Sequence, residues 1–152
     1  MKTRPILLTL ALSFVAALAF ANPNMGTWKL NEAKSKIPPG FPKNHTVVYS
    51  PAGDNVKVTV DGVDGEGKPT HIEWTGKFDG KDYPLTGDLN ADTRSYKKID
   101  DRTTELTNKK AGKVTTTAKI AISADGKTRT VTISGTDAKG NKVEATAIYD
   151  KQ

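Results

Sequence analysis

The fold class can be predicted from residues 114–149, VTTTAKIAISADGKTRTVTISGTDAKGNKVEATAIY. Apolar side chains alternate there with Thr, Lys and Glu, and a period of two is that of a strand with one face on the core and the other in water. Two X-Gly pairs, Asp125-Gly126 and Lys139-Gly140, divide the stretch. Because glycine reaches the positive φ that a tight hairpin needs, the stretch predicts three consecutive antiparallel strands.

The same kind of turn signal occurs upstream, where Asp79-Gly80 and Ala111-Gly112 also separate runs rich in Val, Ile, Thr, Tyr or Trp. Residues 32–43 depart from the pattern: they are rich in proline, which cannot continue a ladder, and we expect a loop that begins with one short helical turn. A chain of hairpins predicts an all-β fold, an antiparallel up-and-down meander barrel of about 8–10 strands. An open or flattened sandwich is the alternative.

The first 21 residues have the three regions of a secretory signal peptide. Lys2 and Arg4 form a positive n-region, residues 6–20 form an apolar core, and residues 19–21, Ala-Phe-Ala, form a small-x-small cleavage site. The core is shorter than the ~20 residues of a membrane-spanning helix. We therefore expect a cleaved signal helix at 1–21, and a single β-barrel domain at 22–152 that is exported to the periplasm or the extracellular space.

The amino-acid composition excludes some cross-links and some classes of binding partner for the mature chain. The sequence has no Cys, which excludes both disulfides and the lipid anchor that some exported proteins carry on a Cys after the cleavage site. Removing Lys2 and Arg4 from 23 basic residues leaves 21 against 17 acidic ones, a net charge of +4. These charges are interspersed, without the basic stripe and interleaved aromatics of a nucleic-acid binder. We expect no nucleic acid and no stable membrane anchor.

Residues that could carry catalysis or hold a metal are sparse. The chain has two His and no Cys, and no Ser lies in a Gly-x-Ser-x-Gly elbow, so we predict a protein that is not an enzyme and has no cofactor or metal. His71 and Glu73 share a strand face, but a third ligand is lacking and we expect both to face water. Asp88–Asp92 resembles the start of a calcium loop, yet Thr93 stands where that loop needs glycine, and we interpret the segment as an ordinary loop.

The run Gly26–Leu30, GTWKL, contains a Gly-x-Trp box. With the predicted meander it resembles the calycin superfamily, the lipocalins and fatty-acid-binding proteins. The resemblance implies a barrel that binds a ligand in its lumen, with Gly26 and Trp28 as structural residues that close one end. Residues 26–36 also resemble the start of a group of uncharacterised secreted bacterial proteins, which brings no known activity. Where fatty-acid-binding proteins have an Arg-x-Tyr pair on the last strand, this chain has Ala147 and Tyr149, so the arginine is missing.

The sequence therefore predicts an exported, non-enzymatic β-barrel that binds a small, partly apolar ligand in its lumen. Ten strands lined by Thr, Ala and Val would enclose a moderately polar cavity. The residues expected to contact the ligand are Trp74, Phe78 and Tyr149. Trp74 and Phe78 lie in period on one long predicted strand that ends at Asp79-Gly80. The alternative is a structural or protein-interaction module of the envelope, whose interior is packed with its own side chains.

Overall fold

A computed structural model describes residues 22–136 and 139–152, so the predicted signal peptide lies outside the described residues. The described chain forms ten β-strands and one short 3-10 helix at Glu32–Lys34. The strands are β1 Gly26–Leu30, β2 Lys43–Ala52, β3 Asn55–Val63, β4 Pro69–Gly76, β5 Tyr83–Thr86, β6 Thr93–Lys98, β7 Thr103–Lys110, β8 Lys113–Ile122, β9 Thr128–Thr136 and β10 Lys142–Lys151.

The ten strands form one closed antiparallel barrel. Each strand pairs with the next one along the chain, and β1 pairs with β10 to close the sheet, with Trp28 opposite Lys151 and Leu30 opposite Tyr149. The predicted up-and-down barrel is therefore confirmed, and the sandwich alternative is wrong. Within the described residues, no helix is long and apolar enough to cross a membrane.

The predicted turns all lie between strands, but their lengths differ. Ala111-Gly112 is a two-residue hairpin in which both residues have positive φ, +49° and +77°. The other three X-Gly pairs fall in connections of five or six residues, so the expectation of tight loops there is wrong. Side chains shape one of these longer turns, since the carboxylate of Asp125 accepts hydrogen bonds from the Lys127 N–H and the Ser123 hydroxyl. A second two-residue hairpin, Gly53-Asp54, was not predicted.

The connections alternate between the two ends of the barrel. The turns after β2, β4, β6 and β8 lie at the end where β1 begins, which we call the N-terminal end. Residues 22–25 fold there as a turn, and the carbonyl of Asn24 accepts the indole N–H of the fully buried Trp28 at 2.7 Å. At the opposite end, Ala91 and Ile37 pack against the core.

The interior contains large aromatic side chains in addition to the Thr, Ala and Val that the sequence pattern suggested. The four largest fully buried side chains are Trp28, Trp74, Tyr49 and Tyr96. Tyr96 meets Tyr49 edge-on at 6.2 Å and Trp74 edge-on at 4.7 Å between ring centroids. Such edge-to-face pairs are favourable beyond the area they bury, so the aromatic cluster fixes strands β2, β4 and β6 to one another.

Two glycines have a similar positive φ but differ in the space around them, so substituting each by alanine measures backbone strain separately from steric overlap. Gly87 has φ +85°, and a Cβ there would overlap the carbonyl oxygen of His71. Gly126 has φ +73°, with nothing within 4 Å of its Cβ position. We expect Gly126→Ala to lower the free energy of unfolding by about 1–2 kcal/mol, from backbone strain alone. Gly87→Ala should lower it by a further ~1–3 kcal/mol, because backbone must move. Urea denaturation followed by Trp fluorescence measures both; equal losses would contradict the packing described here.

Candidate functional site

The side chain of Arg129 lies inside the barrel. Arg129 is the second residue of β9 and alternates with outward-facing Thr128 and Thr130, so its side chain shares the inner face with Val131. The register places it opposite Tyr149 of β10 on one side and Ile122 of β8 on the other. Arg129 is only 4% exposed. A guanidinium is therefore held in the apolar interior, where charged groups are rarely found without a partner.

The guanidinium of Arg129 is bound on one side and unpartnered on the other. Its Nη2 donates to the hydroxyl of Tyr49 at 2.8 Å. Its Cζ lies 5.4 Å from the ring centroid of Tyr49 and 4.9 Å from that of Tyr149, at cation–π distance. Nε and Nη1 are buried and have no hydrogen-bond partner among the described residues. Each buried donor left without an acceptor costs about 1–3 kcal/mol, and more when charged.

A second arginine, Arg94, is also buried, and none of its nitrogens is both buried and without a hydrogen-bond partner. Nε of Arg94 donates to Oδ1 of Asn108 at 2.7 Å, and its Nη1 lies 3.4 Å from the hydroxyl of Tyr96. The carbonyl of Arg94 accepts the indole N–H of Trp74 at 2.9 Å. Strands β6 and β7 place Arg94 directly opposite Asn108, so this pair follows from the register.

These side chains form one polar group at the centre of an aromatic interior. We call it the lumenal cluster, and its members are Tyr49, Arg94, Tyr96, Asn108, Arg129 and Tyr149. No carboxylate is buried anywhere in residues 22–136 or 139–152. Arginine stays protonated in proteins, so the cluster carries two positive charges without an acidic partner.

The two tyrosines beside Arg129 are buried next to its positive charge, and both effects act on their pKa values. Burial raises the pKa of Tyr49 far above its ordinary value, although the charge of Arg129 opposes the shift. Burial also raises the pKa of Tyr149, again against the influence of Arg129. Both hydroxyls therefore remain protonated at neutral pH and are available as hydrogen-bond donors.

The residues predicted from the sequence to contact a ligand lie around this cluster. Trp74 is fully buried beside Tyr96, and Tyr149 lies against Arg129. Gly26 has φ +111°, and a Cβ there would come within 3.1 Å of Cε of Lys151, so a glycine fits best where β1 closes on β10. Trp28, at the same closure, has the Lys151 ammonium 5.2 Å from its ring centroid.

Phe78 is not on a strand, contrary to the sequence-based expectation. β4 ends at Gly76, where a Cβ would clash with the rings of Tyr83 and Trp74, and the chain leaves the sheet there. Phe78 instead lies half-buried in the connection to β5, with its ring stacked on that of Tyr96 at 4.7 Å and 6°. It also meets Tyr49 edge-on at 6.4 Å.

A cavity of about 270 Å³ opens at the N-terminal end, and we call it the mouth cavity. Its lining residues are Asn22, Pro23, Phe78, Lys98, Asp100, Asp101 and Thr104. Just inside it, Asn24 is 1% exposed; its Nδ2 lies 3.3 Å from Oγ1 of Thr104, and its Oδ1 has no donor among the described residues. The mouth cavity thus joins an apolar wall at Phe78 to a polar rim.

The two candidate metal motifs are occupied by local hydrogen bonds. Asp88 accepts from the Asn90 N–H at 2.8 Å, as an ordinary Asx turn does. His71 and Glu73 lie on the outer face, as predicted, with Nδ1 of His71 2.6 Å from Oδ1 of Asp61. No group of three or more His, Cys, Asp or Glu side chains is arranged to hold a metal within the part of the chain that the structure describes.

The sequence pattern missed the arginines and the two central tyrosines of the lumenal cluster. A signal was present, because Arg129 falls in period with Val131 and Ile133, and Arg94 falls in period with Tyr96. A charged residue on the inner face of a strand is the feature that should have selected them.

The molecule is a closed all-β barrel, and two arginines, Arg94 and Arg129, are buried in its lumen. By architecture it belongs to the β-barrels that have polar side chains in the lumen. No family model matches the sequence, and no curated protein matches it. In structure it is similar to a redesigned beta barrel, mFAP1, bound to DFHBI, with a TM-score of 0.44 and 15% identity over 85% of this chain and 95% of that one.

The outer-face histidine gives a pH-dependent prediction. Hydrogen bonds to Asp61 and then to Glu73 raise the pKa of His71 above its ordinary value. The stabilisation is therefore present below the unfolded-state pKa of ~6.5 and is lost as the pH rises through the folded-state pKa. An NMR titration should show His71 titrating above that value, and Asp61→Asn should lower its pKa. Asp54→Asn, in the β2–β3 turn, is the control and should leave it unchanged; an unshifted His71 in the native chain would contradict the geometry.

Proposed function

We propose that this protein is an exported, calycin-like, non-enzymatic binding protein that holds a small, partly apolar molecule in its lumen by an anionic group. The observation that carries the proposal is the buried guanidinium of Arg129, with Nε and Nη1 unpartnered. An anionic group supplies an acceptor for one of these unpartnered donors together with the missing negative charge, through a charge-assisted hydrogen bond.

The surroundings of Arg129 favour a ligand that is apolar apart from that group. The rings of Tyr49 and Tyr149 flank the guanidinium, and Tyr96 and Trp74 continue the wall. Binding sites for small molecules combine mostly apolar and aromatic walls with a few placed polar groups. The lumenal cluster has this composition, and its two protonated hydroxyls add donors beside the cations.

A second candidate function is a structural or protein-interaction module of the envelope, which uses its outer surface. The observation that favours it is the filling of the interior by Trp28, Trp74, Tyr49 and Tyr96. In that case Arg129 serves only to bridge strands. The two functions differ in what they require of Arg129, and this is the basis of the next test.

We expect Arg129→Met to separate binding from stability. Methionine fills a similar volume and loses one hydrogen bond to Tyr49, but it removes two unpartnered donors and a buried charge, so the free energy of unfolding should rise by about 1–3 kcal/mol. Affinity for the probe 1-naphthoate should fall about 10–100-fold, the equivalent of one charge-assisted hydrogen bond. Calorimetric titration measures the affinity and urea denaturation measures the stability. The neutral probe 1-naphthamide should bind the native chain far more weakly than 1-naphthoate.

Arg94→Met is the matched control, because Arg94 is equally buried but its Nε is paired with Asn108. It should lower stability by about 1–3 kcal/mol, since Asn108 is left unpaired. If Arg129→Met binds 1-naphthoate as the native chain does, or if the native chain does not bind it, the binding proposal is overturned and the interaction module is favoured.

Export is part of the proposal and is tested separately. It is supported by the charged start, apolar core and small-x-small site of residues 1–21. When the full sequence is expressed in a Gram-negative bacterium, the protein in the periplasmic fraction should have the mass of a chain beginning at Asn22. Ala21→Asp should leave the uncleaved precursor, whereas Phe20→Leu, at the unrestricted middle position, should be processed normally. A full-length cytoplasmic product from the native sequence would refute export.

A further inference from the structure

We propose that the mouth cavity is the entrance to the lumenal cluster, that the ring of Phe78 is its gate, and that the ligand is a small planar aromatic anion whose ring replaces Phe78 on Tyr96. This inference rests on the proposed function, since it names the route and the ligand class for the same site.

Phe78 occupies the boundary between the mouth cavity and the lumenal cluster. Phe78 lines the cavity, and its ring is stacked on that of Tyr96 at 4.7 Å. Tyr96 is in turn bound to the cluster, with its hydroxyl 3.4 Å from Nη1 of Arg94. Phe78 also contacts Tyr49, the tyrosine that accepts the hydrogen bond from Arg129. The same ring thus lines the cavity and contacts both tyrosines.

The backbone around Phe78 suits a gate better than a fixed wall. Phe78 lies outside the regular ladder, in the six residues between Gly76 and Tyr83. The chain is anchored immediately after it, where Gly80 N–H donates to the carbonyl of Tyr96 and the carboxylate of Asp79 accepts from the Tyr83 hydroxyl. A half-buried ring between a strand end and an anchored turn can move by rotation of its own side chain.

The volume of the mouth cavity, the stacked ring of Phe78 and the donors of Arg129 together limit the class of ligand that can bind. A cavity of about 270 Å³ is slightly smaller than usual ligand pockets, which range over ~300–1,000 Å³. The position that the ligand takes is now held by a ring stacked within 6° of parallel to Tyr96, so a flat aromatic ring fits it best. The unpartnered donors of Arg129 require the anionic group. A compact aromatic acid meets all three conditions, whereas a long flexible chain meets only the last.

Stopped-flow binding of 1-naphthoate, followed by Trp fluorescence, tests the gate. Because Phe78 competes with the ligand for the face of Tyr96, Phe78→Ala should raise the association rate constant about tenfold and lower Kd. Phe78→Leu keeps much of the apolar volume but removes the stacked ring; it should show the same direction of change if the alanine variant folds poorly. Phe78→Trp should slow association.

Ile37→Ala is the matched control, a half-buried apolar side chain packed on the core from the opposite end. It should lower stability without changing the association rate. Faster association in Ile37→Ala but not in Phe78→Ala would place the entrance at the other end and overturn the inference. Weaker binding by Phe78→Ala at an unchanged association rate would also overturn it, because Phe78 would then be a wall contact. Absence of binding in the native chain and in both Phe78 variants would instead overturn the proposed function itself.

Discussion

The pairing of β1 with β10 is the contact on which the rest of the molecule depends. β1 has only five residues, yet its register with β10 converts a ten-stranded meander into a closed barrel with no free edge. Closure also encloses the inner faces of all ten strands in one low-dielectric space. The character of every buried polar group follows from this, because burial without water makes a hydrogen-bond partner obligatory.

The buried and partly unpartnered guanidinium of Arg129 lowers the stability of this barrel. Its charge is removed from water, one of its nitrogens is bonded to Tyr49, and two are not bonded. Arg94 shows that the same fold can satisfy a buried guanidinium, by placing Asn108 in register on the next strand. The contrast between the two arginines shows that the unpartnered side of Arg129 is not a general cost of the architecture, and it supports the proposal that Arg129 binds a ligand.

The strands could be predicted from the sequence because alternation is a local property. β9 and β10 follow the period of two over their whole length, and β8 follows it from Thr116 onward, after a bulge beyond which Val114 is exposed. Ala111-Gly112 identifies its hairpin from two residues alone. The prediction failed where tertiary contacts determine the end of a strand. Phe78 continues the period of Trp74 and Gly76, but the packing of Gly76 against Tyr83 ends β4 two residues earlier. Alternation shows which side chains face inward, but which of them meet across the lumen could not be predicted, since that depends on closure and register.

The missing arginine of the last strand shows why register matters for the site. Along one strand, residues two apart face the same side, so an Arg-x-Tyr pair can be found by reading the sequence. Here Ala147 occupies the arginine position, but Arg129 lies directly opposite Tyr149 on the neighbouring strand. Opposite residues on one face of an antiparallel pair have Cβ atoms only ~4.5–5.5 Å apart, so the two arrangements bring the same chemical groups together. A cation and a phenol separated by 20 positions in the sequence thus become neighbours through pairing alone, and no motif along a single strand reveals them.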